Sequence, residues 1–432
     1  MSMLVSWEWS STTWTWSTAS TVTITTGATD TTMARRKATP AARDESHRVE
    51  VPLVDLAPQH RPLQAELWQA VQAVAAHQRF VNGPEVELFE QEMSAYLGVA
   101  HAVAVSSGTD ALLAALMALG VGPGDEVITT AYSFVATAEV IARLGARPVF
   151  CDILPDSLFL RPGAVREAFT SNTKVILAVH LFGRLGPVEE LAKLAAERGV
   201  ALVEDCAQAL GARAGGRSAG SFGLSGAFSF FPSKNLGAWG DGGMVVTGDG
   251  GMAGTLRRLR EHGQVERGHY QKLGGNFRLD TLQAAVLRVK LGHLERWLDE
   301  RLRAAQLYLQ MFWEAGLCAG PDETQHPGHR LVMPQLPAGE REHAFNLFVV
   351  RAEKRNELAA YLARRGIATA VYYRTPVPLQ PCFADLGYGP GDFPVTEEAC
   401  RQVLALPLFP GISPDQQRAV VAAVAEFYRQ AD

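Results

Sequence analysis

Three polar groups in this sequence each follow a short apolar run, and their types suit covalent chemistry on a bound organic molecule. Lys234 follows the run Ala-Phe-Ser-Phe-Phe-Pro-Ser and enters a glycine-rich segment. Asp205 follows the run Ala-Leu-Val-Glu, and Ser107-Gly108-Thr109 follows Val-Ala-Val-Ser. The set therefore offers an amine nucleophile, a carboxylate and a glycine-containing helix start that can approach a phosphate.

Pyridoxal 5′-phosphate is a cofactor that needs all three of these groups. A lysine in apolar surroundings has a lowered pKa, which suits Schiff-base formation, and its freed amine can then move a proton at the reacting carbon. A carboxylate at the position of Asp205 would keep the pyridine ring cationic. The first-turn N–H groups of Gly108 and Thr109 would hold the phosphate.

Further residues near these groups suit the same cofactor. Gln208 could bind the ring hydroxyl, Ser229 the phosphate, and Phe134 could stack on the ring. Most of these candidates also have an ordinary structural interpretation. Gly108-Thr109 alone also fits a simple capped helix, Asp205 a turn at a strand end, Lys234 a surface position, and Phe134 a core aromatic.

The elements that must position these residues form an α/β pattern. Helical patterns at 111–119, 134–144 and 188–197 separate buried strand candidates, which are Ala102–Val105, Glu126–Thr130, Pro148–Cys151, Val175–Val179, Ala201–Glu204, Ala227–Phe231 and Met244–Thr247. This alternation predicts a mainly parallel, doubly wound seven-stranded sheet. Ligands of such sheets bind beyond the carboxyl ends of the strands, where the three groups fall.

The rest of the chain predicts a second, smaller domain. One long helical pattern runs from Leu279 to about Trp313, a Pro- and Gly-rich loop covers 320–340, and an α+β pattern ends in a helix from Pro414. The predicted organisation has three parts. They are a disordered leader at 1–48, a large cofactor-binding domain at 49–295 and a small C-terminal α+β domain at 296–432. The leader has eleven Thr and six Ser in its first 32 residues, without the basic start of a signal peptide.

Composition narrows the function classes. The net charge is −5 with no long basic run, and no apolar stretch is long enough to span a bilayer, so neither nucleic-acid nor membrane binding is predicted. Five scattered cysteines without a Cys-x-x-Cys pair favour a reducing cytoplasm and argue against disulfides and a zinc knuckle. No metal site is predicted.

Eight short motifs in order connect the chain to a known family. They are Ser-Gly-Thr-Asp-Ala-Leu, Gly-Pro-Gly-Asp-Glu-Val-Ile, Ser-Phe-Val-Ala-Thr-Ala, Val-His-Leu-Phe-Gly, Glu-Asp-Cys-Ala-Gln-Ala-Leu-Gly-Ala, Ser-Phe-Phe-Pro-Ser-Lys-Asn-Leu-Gly, Gly-Asp-Gly-Gly and Asn-Phe-Arg-Leu-Asp-Thr-Leu-Gln-Ala-Ala. Together they resemble the DegT/DnrJ/StrS-type sugar aminotransferases from about Val51 onward. The resemblance implies the fold type I aminotransferase architecture, a homodimer, and amino transfer, with glutamate as donor, to a nucleotide-diphospho-keto-sugar.

The resemblance also assigns residues beyond the first set. Asn276 would reach the cofactor phosphate of the neighbouring subunit, so that active sites are shared, and Arg278 would bind a substrate or donor anion. The sequence around Lys234 is similar to the subgroup that aminates sugars at C3. The family's usual His-Tyr-Pro appears here as Tyr372-Tyr373-Arg374, a difference near the expected sugar site.

Other functions stay open at this point. A 4-keto-sugar aminotransferase of the same family is one alternative, and a non-enzymatic regulatory homologue is another. Sugar dehydratases of this fold have histidine in place of Lys234, which argues against that activity. A fold type I enzyme acting on amino acids is disfavoured by the loop around Lys234 rather than by the fold.

Overall fold

The computed structural model describes residues 50–320, 329–336 and 341–431. The predicted leader at 1–48 lies outside the described residues, as does much of the predicted loop at 320–340. The proposed division at residues 295 and 296 stays a prediction.

The strands follow the sequence pattern closely in the first half of the chain. Those of the described residues are β1 His101–Val105, β2 Glu126–Thr130, β3 Arg147–Cys151, β4 Thr173–Val179, β5 Ala201–Asp205, β6 Arg213–Ala214, β7 Arg217–Ser218, β8 Ser225–Ser229, β9 Gly243–Thr247, β10 Gln264–Glu266, β11 His269–Tyr270, β12 Leu331–Val332, β13 Phe348–Ala352 and β14 Val403–Leu406. All seven strands of the predicted sheet are present, with shifts of one or two residues at their ends.

The large sheet has the order β1-β9-β8-β5-β4-β2-β3. Its β8-β5-β4-β2-β3 part is parallel, whereas β9 pairs antiparallel with both β1 and β8. Since β9 runs against both neighbours, β1 and β8 point the same way as the parallel strands. The carboxyl ends of β1, β5 and β8 therefore meet at one edge, which confirms the predicted α/β, mainly parallel seven-stranded sheet.

Helices cover both faces of this sheet. The α-helices of the described residues are α1 Ala57–His60, α2 Gln64–His77, α3 Pro84–Leu97, α4 Gly108–Ala118, α5 Ala136–Arg143, α6 Pro162–Ala168, α7 Val188–Arg198, α8 Gly250–Leu259, α9 Thr281–Leu291, α10 Leu294–Glu314, α11 Arg355–Arg364, α12 Pro394–Gln402 and α13 Pro414–Ala431. The predicted final helix from Pro414 is confirmed. The single helix predicted from Leu279 to Trp313 is wrong, because the chain turns at Gly292-His293 and forms two helices.

Alternating residues of each central strand pack into two separate hydrophobic cores, one on each face of the sheet. In β4, Ile176 and Ala178 pack with helices α3, α7 and α9 on one face. Val175 and Leu177 pack with α4, α5 and α8 on the other. Strands buried on both faces read as continuous apolar runs, which explains the lack of polar alternation in the sequence.

A further core lies in the C-terminal part of the chain. It packs α10, α11 and α13 against the sheet β12-β13-β14. Val51 joins this core through a bridge to Ile367, although it comes first among the described hydrophobic residues. Ala370 adds an isolated bridge to Ala405 of β14. Among the described helices, none combines the length and the apolar character that crossing a membrane requires.

Candidate active site

The structure brings Asp205 and Lys234 together at the carboxyl edge of the sheet. Asp205 is the last residue of β5, and Lys234 lies in the turn that follows β8. The two strands are parallel neighbours, with Asp205 opposite Ala227. The charge of Asp205 acts on the Lys234 ammonium and opposes the fall in its pKa.

The Asp205 carboxylate is buried, with 6% of the residue exposed. One oxygen accepts a hydrogen bond from the hydroxyl of Thr137 at 2.8 Å, and the other accepts one from the backbone N–H of Ala207 at 3.1 Å. Burial raises the pKa of Asp205, while these two hydrogen bonds and the charge of Lys234 lower it. The carboxylate is thus held in one orientation by neutral donors, with acceptor positions left for a ligand.

The amine of Lys234 is prepared for nucleophilic chemistry. Burial lowers the pKa of its ammonium from 10.5 to about 8, and the Asp205 charge offsets only part of this effect. A larger fraction of neutral amine is therefore present near neutral pH than for an exposed lysine. The backbone N–H of Lys234 donates to the Phe231 carbonyl at 2.8 Å and closes the turn.

Asparagine side chains fix the loop on the far side of the lysine. Asn235 donates to the carbonyls of Leu210 and Ala344 at 3.0 and 3.2 Å. Asn346 donates to the Asn235 side chain at 3.3 Å and to the Ser233 carbonyl at 3.5 Å. The residues on both sides of Lys234 are therefore bonded to the segment 344–346.

A buried lysine holds the end of the same loop. Lys290 on α9 is 2% exposed, and its ammonium donates to the Gly237 carbonyl and lies 3.1 Å from Nε2 of His60. Burial lowers the pKa of Lys290 to about 8 and, together with the charge of Lys290, that of His60 to about 4. Neutral His60 therefore accepts from this ammonium, since a protonated ring has no acceptor nitrogen.

The start of α4 forms a cradle for an anion. A helix leaves its first N–H groups without intrahelical partners, and Ser107 accepts only that of Asp110, at 3.0 Å. A Cβ on Gly108 would lie 2.6 Å from the Cβ of Ser229, so glycine is required for this close approach. The Gly108 end of the cradle thus lies against Ser229, the last residue of β8.

These residues fit pyridoxal phosphate. The cradle suits the phosphate, the buried Asp205 suits a protonated ring nitrogen, and the Lys234 amine suits the aldehyde. The fit rests on three different elements that the sheet brings to one edge. The fold and the site together define an α/β enzyme of the pyridoxal phosphate-dependent class.

Two further candidates lie at the same edge beside a tyrosine. The ring centroid of Phe134 is 6.1 Å from that of Tyr373, and Phe134 is 55% exposed. Gln208 accepts from the backbone N–H of Phe182 at 2.6 Å, and its side-chain amide lies 3.4 Å from the Tyr373 hydroxyl. An exposed ring next to this polar group is available to a planar ligand.

Asn276 and Arg278 lie on an extended segment beside the cradle. The carbonyl of Phe277 accepts from Ser106 at 2.8 Å, just before α4. Asn276 is exposed and forms a bridge with Glu261. Arg278 pairs with the Glu261 carboxylate at 2.9 Å, so part of its charge is already neutralised.

One group among the described residues has metal-ligating side chains close together, namely His180, Glu204 and Cys206. The Glu204 carboxylate already accepts from His180 at 2.8 Å and from three backbone N–H groups, at Gly220, Phe222 and Gly223. Its oxygens thus organise the 220–223 turn. The absence of a metal site stays a prediction.

Sequence reasoning missed Thr137 and Lys290 as parts of this site, and it placed Tyr373 near the sugar without predicting its contact with Gln208. Thr137 lies in a quoted motif, but a threonine in the first turn of a helix is ordinary, and its partner is 68 residues away. Lys290 lies in an amphipathic helix, where a lysine usually faces solvent. Only their positions in the fold bring them to the cofactor-binding edge.

Comparison with known proteins identifies the family. Residues 62–425 match the DegT/DnrJ/EryC1/StrS aminotransferase family, so the chain belongs to this family. A pleiotropic regulatory protein of Geobacillus stearothermophilus is 43% identical over 381 residues, covering 88% of this chain and 99% of that protein. The dTDP-3-amino-3,4,6-trideoxy-alpha-D-glucose transaminase of Streptomyces venezuelae is 41% identical over 392 residues, covering 91% and 99%.

Solved structures agree with this assignment. The crystal structure of S. venezuelae DesV has a TM-score of 0.82 at 41% identity and covers 89% of this chain and 100% of that one. NtdA from Bacillus subtilis, solved with bound pyridoxamine phosphate (PMP), has a TM-score of 0.80 at 29% identity and covers 90% and 87%. The protein is thus an aminotransferase that uses pyridoxal phosphate, as predicted.

Proposed function

We propose that this enzyme transfers an amino group from glutamate to the C3 keto group of a nucleotide-diphospho-keto-sugar, making an amino sugar for glycan or natural-product biosynthesis. The observation that supports it most is that Lys234 and Asp205 lie near each other at one sheet edge, in a chain 41% identical to a transaminase named for a dTDP-3-amino sugar. The nucleotide and the glutamate donor are inferred from the resemblance.

In this proposal the chain's own residues bind, orient and move protons. When bound, pyridoxal phosphate accepts the amino group from the donor and withdraws electrons from the reacting carbon. Asp205 would hold the ring nitrogen, and Gln208 would turn from Tyr373 to the ring hydroxyl. Phe134 would cover one ring face.

Lys234 has two tasks in this proposal. Its neutral amine captures the cofactor's aldehyde, and the same amine, once released, moves the proton at the substrate carbon. Because the pKa is about 8, the group can both accept and release a proton near neutral pH. The hydrogen-bonded loop at Asn235 and Asn346 keeps this amine in place during both tasks.

The phosphate would bind at Gly108, Thr109 and Ser229, with Asn276 supplied by the neighbouring subunit of a homodimer. Large apolar side chains left exposed on this chain support a second copy as partner: Trp68 is 51% exposed, Phe80 47% and Leu273 92%. Arg278 would bind an anion of the donor or the sugar phosphate. The proposed location is the cytoplasm.

The test is amino transfer with a defined acceptor. Purified enzyme is given glutamate and either a 3-keto or a 4-keto dTDP-sugar, and the product is identified by NMR. Amination of the 3-keto compound, lost in Lys234→Ala, is expected. Amination of only the 4-keto compound would contradict C3 specificity. If the absorbance band of the bound cofactor does not change when glutamate is added, glutamate is not the donor.

A second candidate is a regulatory role, which the name of the Geobacillus relative favours. A regulatory role predicts that the changes in gene expression caused by the protein persist when the Lys234 amine is removed. If Lys234→Ala supports the same expression changes in cells as the wild-type chain, the regulatory role is independent of catalysis. If those changes disappear, the amino sugar itself accounts for them.

A further inference from the structure

We propose that Thr137 is a positioning residue for the reaction: its hydroxyl keeps the Asp205 carboxylate charged and aimed at the cofactor's ring nitrogen. The proposal rests on the proposed function, since it takes Asp205 as the partner of that nitrogen.

The contact is short and shielded from water. Thr137 Oγ1 lies 2.8 Å from Asp205 Oδ2, and the two residues are 1% and 6% exposed. The other oxygen accepts from the Ala207 N–H at 3.1 Å. An ionised carboxylate offers about four acceptor positions, so a ring N–H can still be accommodated.

The direction of each hydrogen bond follows from proton counting. Ser133 Oγ lies 2.7 Å from Thr137 Oγ1, and either atom could donate. A hydroxyl has one proton, and an ionised carboxylate has none. Thr137 therefore donates to Asp205, and Ser133 donates to Thr137. The chain of donors runs toward the carboxylate, and each bond polarises the next.

This donor opposes the effect of burial. Burial raises the pKa of Asp205, and among the opposing influences the Thr137 hydrogen bond is the largest, followed by the Ala207 N–H and the charges of Lys234 and His180. Unlike Lys234, the Thr137 hydroxyl stays unchanged when the lysine amine is consumed by the cofactor. It is the side-chain donor on which Asp205 depends throughout the reaction.

The same contact also joins two parts of the site. Thr137 lies in the first turn of α5, and its backbone N–H donates to the Phe134 carbonyl at 3.2 Å. The hydroxyl of Thr137 thus ties the Phe134 segment to the end of β5. The stacking side chain and the ring-nitrogen partner are set relative to each other by one hydrogen bond.

Thr137→Val tests the role, because valine keeps the shape and removes the hydroxyl. Thr137→Ser is the matched control, since it keeps the donor. The dissociation constant of the apoenzyme for PMP is measured by calorimetry. The ¹⁵N chemical shift of ring-labelled PMP then reports whether the proton between the ring nitrogen and Asp205 lies on the nitrogen or on the carboxylate.

We expect Thr137→Val to bind PMP about 10-fold more weakly, the scale of one hydrogen bond to a charged group. Its ¹⁵N shift should move toward the unprotonated value, because a carboxylate without this donor is the stronger base. Thr137→Ser should restore both values. If Thr137→Val does not fold, Ser133→Ala tests the same series of hydrogen bonds. We then expect a smaller change in the ¹⁵N shift, in the same direction.

The possible outcomes distinguish this proposal from the proposed function on which it rests. A wild-type affinity and ¹⁵N shift in folded Thr137→Val would overturn the role of Thr137. An equal loss in Thr137→Ser would also overturn it, because shape rather than the hydroxyl would then matter. An unprotonated ring nitrogen in the wild-type complex would instead contradict the assignment of Asp205.

Discussion

Gly108→Ala should weaken binding of the cofactor's phosphate specifically. The added Cβ would lie 2.6 Å from the Cβ of Ser229 and 3.1 Å from its hydroxyl oxygen. Ordinary carbon–carbon contacts begin at about 3.5 Å, so the start of α4 must move by about 1 Å from β8. This movement separates the N–H groups of the cradle from the Ser229 hydroxyl.

The expected loss follows from this displacement. Losing one hydrogen bond to the charged phosphate costs about 1.5–3 kcal/mol, so we expect PMP affinity to fall between about 10-fold and 100-fold. The energetic cost to the fold should be about 1–3 kcal/mol, typical of overpacking. Because Gly108 is helical, alanine adds no backbone strain.

The assay compares two ligands that differ only in the phosphate. Apoenzyme is titrated with PMP and with pyridoxamine, and the dissociation constant for pyridoxamine is divided by that for PMP. Gly108→Ala should reduce this ratio, while pyridoxamine binding stays near its wild-type value. Gly122→Ala is the matched control, since a Cβ there meets no atom within 4 Å. An unchanged ratio in Gly108→Ala would refute the assignment of the phosphate to this cradle.

Three other predictions test the charges of the site. Asp205→Asn keeps the shape but loses the charge beside the ring nitrogen, so kcat should fall about 10²-fold; an unchanged kcat in steady-state assays would assign the nitrogen to another residue. Covalent capture of pyridoxal phosphate by the apoenzyme needs the neutral Lys234 amine, so its rate should rise with pH with a midpoint near 8. The rate is followed by stopped-flow absorbance, and a midpoint near 10.5 would contradict the lowered pKa. The pKa of Lys290 is about 8 in the folded state and 10.5 in the unfolded chain, so the unfolded chain binds this proton more tightly. The free energy of unfolding should therefore rise with pH between these values, by about 3 kcal/mol in all. Lys290→Met should lack this part of the rise in urea unfolding at pH 7 and 9.5, and equal rises in both proteins would contradict it.

The sequence predicted the sheet well because its strands are buried on both faces. Runs such as Val175 to Val179 contain no polar residue, which is typical of a parallel strand buried on both faces. The residues at the strand ends followed directly, since parallel strands place their carboxyl ends at one edge. Gly108, Asp205 and Lys234 therefore lie at or just after the carboxyl ends of β1, β5 and β8, at one edge of the sheet, and their roles toward the cofactor stay predictions.

Helix boundaries and long-range partners were harder to predict. The apolar spacing of Leu287, Leu291, Leu294 and Leu298 continues across Gly292, although the helix does not. Periodicity reports which face is buried but not where the axis bends. A single glycine gives no clear signal, because helices also tolerate it at a modest cost.

The partners of the site residues depend on tertiary contacts. Arg278 could be recognised as a candidate cation, but its pairing with Glu261 follows only from the bridge that aligns their segments. Likewise, the contact between Gln208 and Tyr373 joins two loops that are 165 residues apart in the sequence. Residue type therefore indicated the chemistry, while the present hydrogen-bond partners required the structure.

The link between the lysine loop and the C-terminal core limits how this enzyme can move. Arg301 on α10 is 1% exposed and donates to the carbonyls of Phe345, Asn346 and Leu408. Asn346 in turn bonds to the residues on both sides of Lys234. A rigid-body rotation of that core would drag the reactive amine away from Asp205. We therefore expect substrate entry to involve side chains and loops at the rim, because a hinge between the core and the lysine loop would separate Lys234 from Asp205.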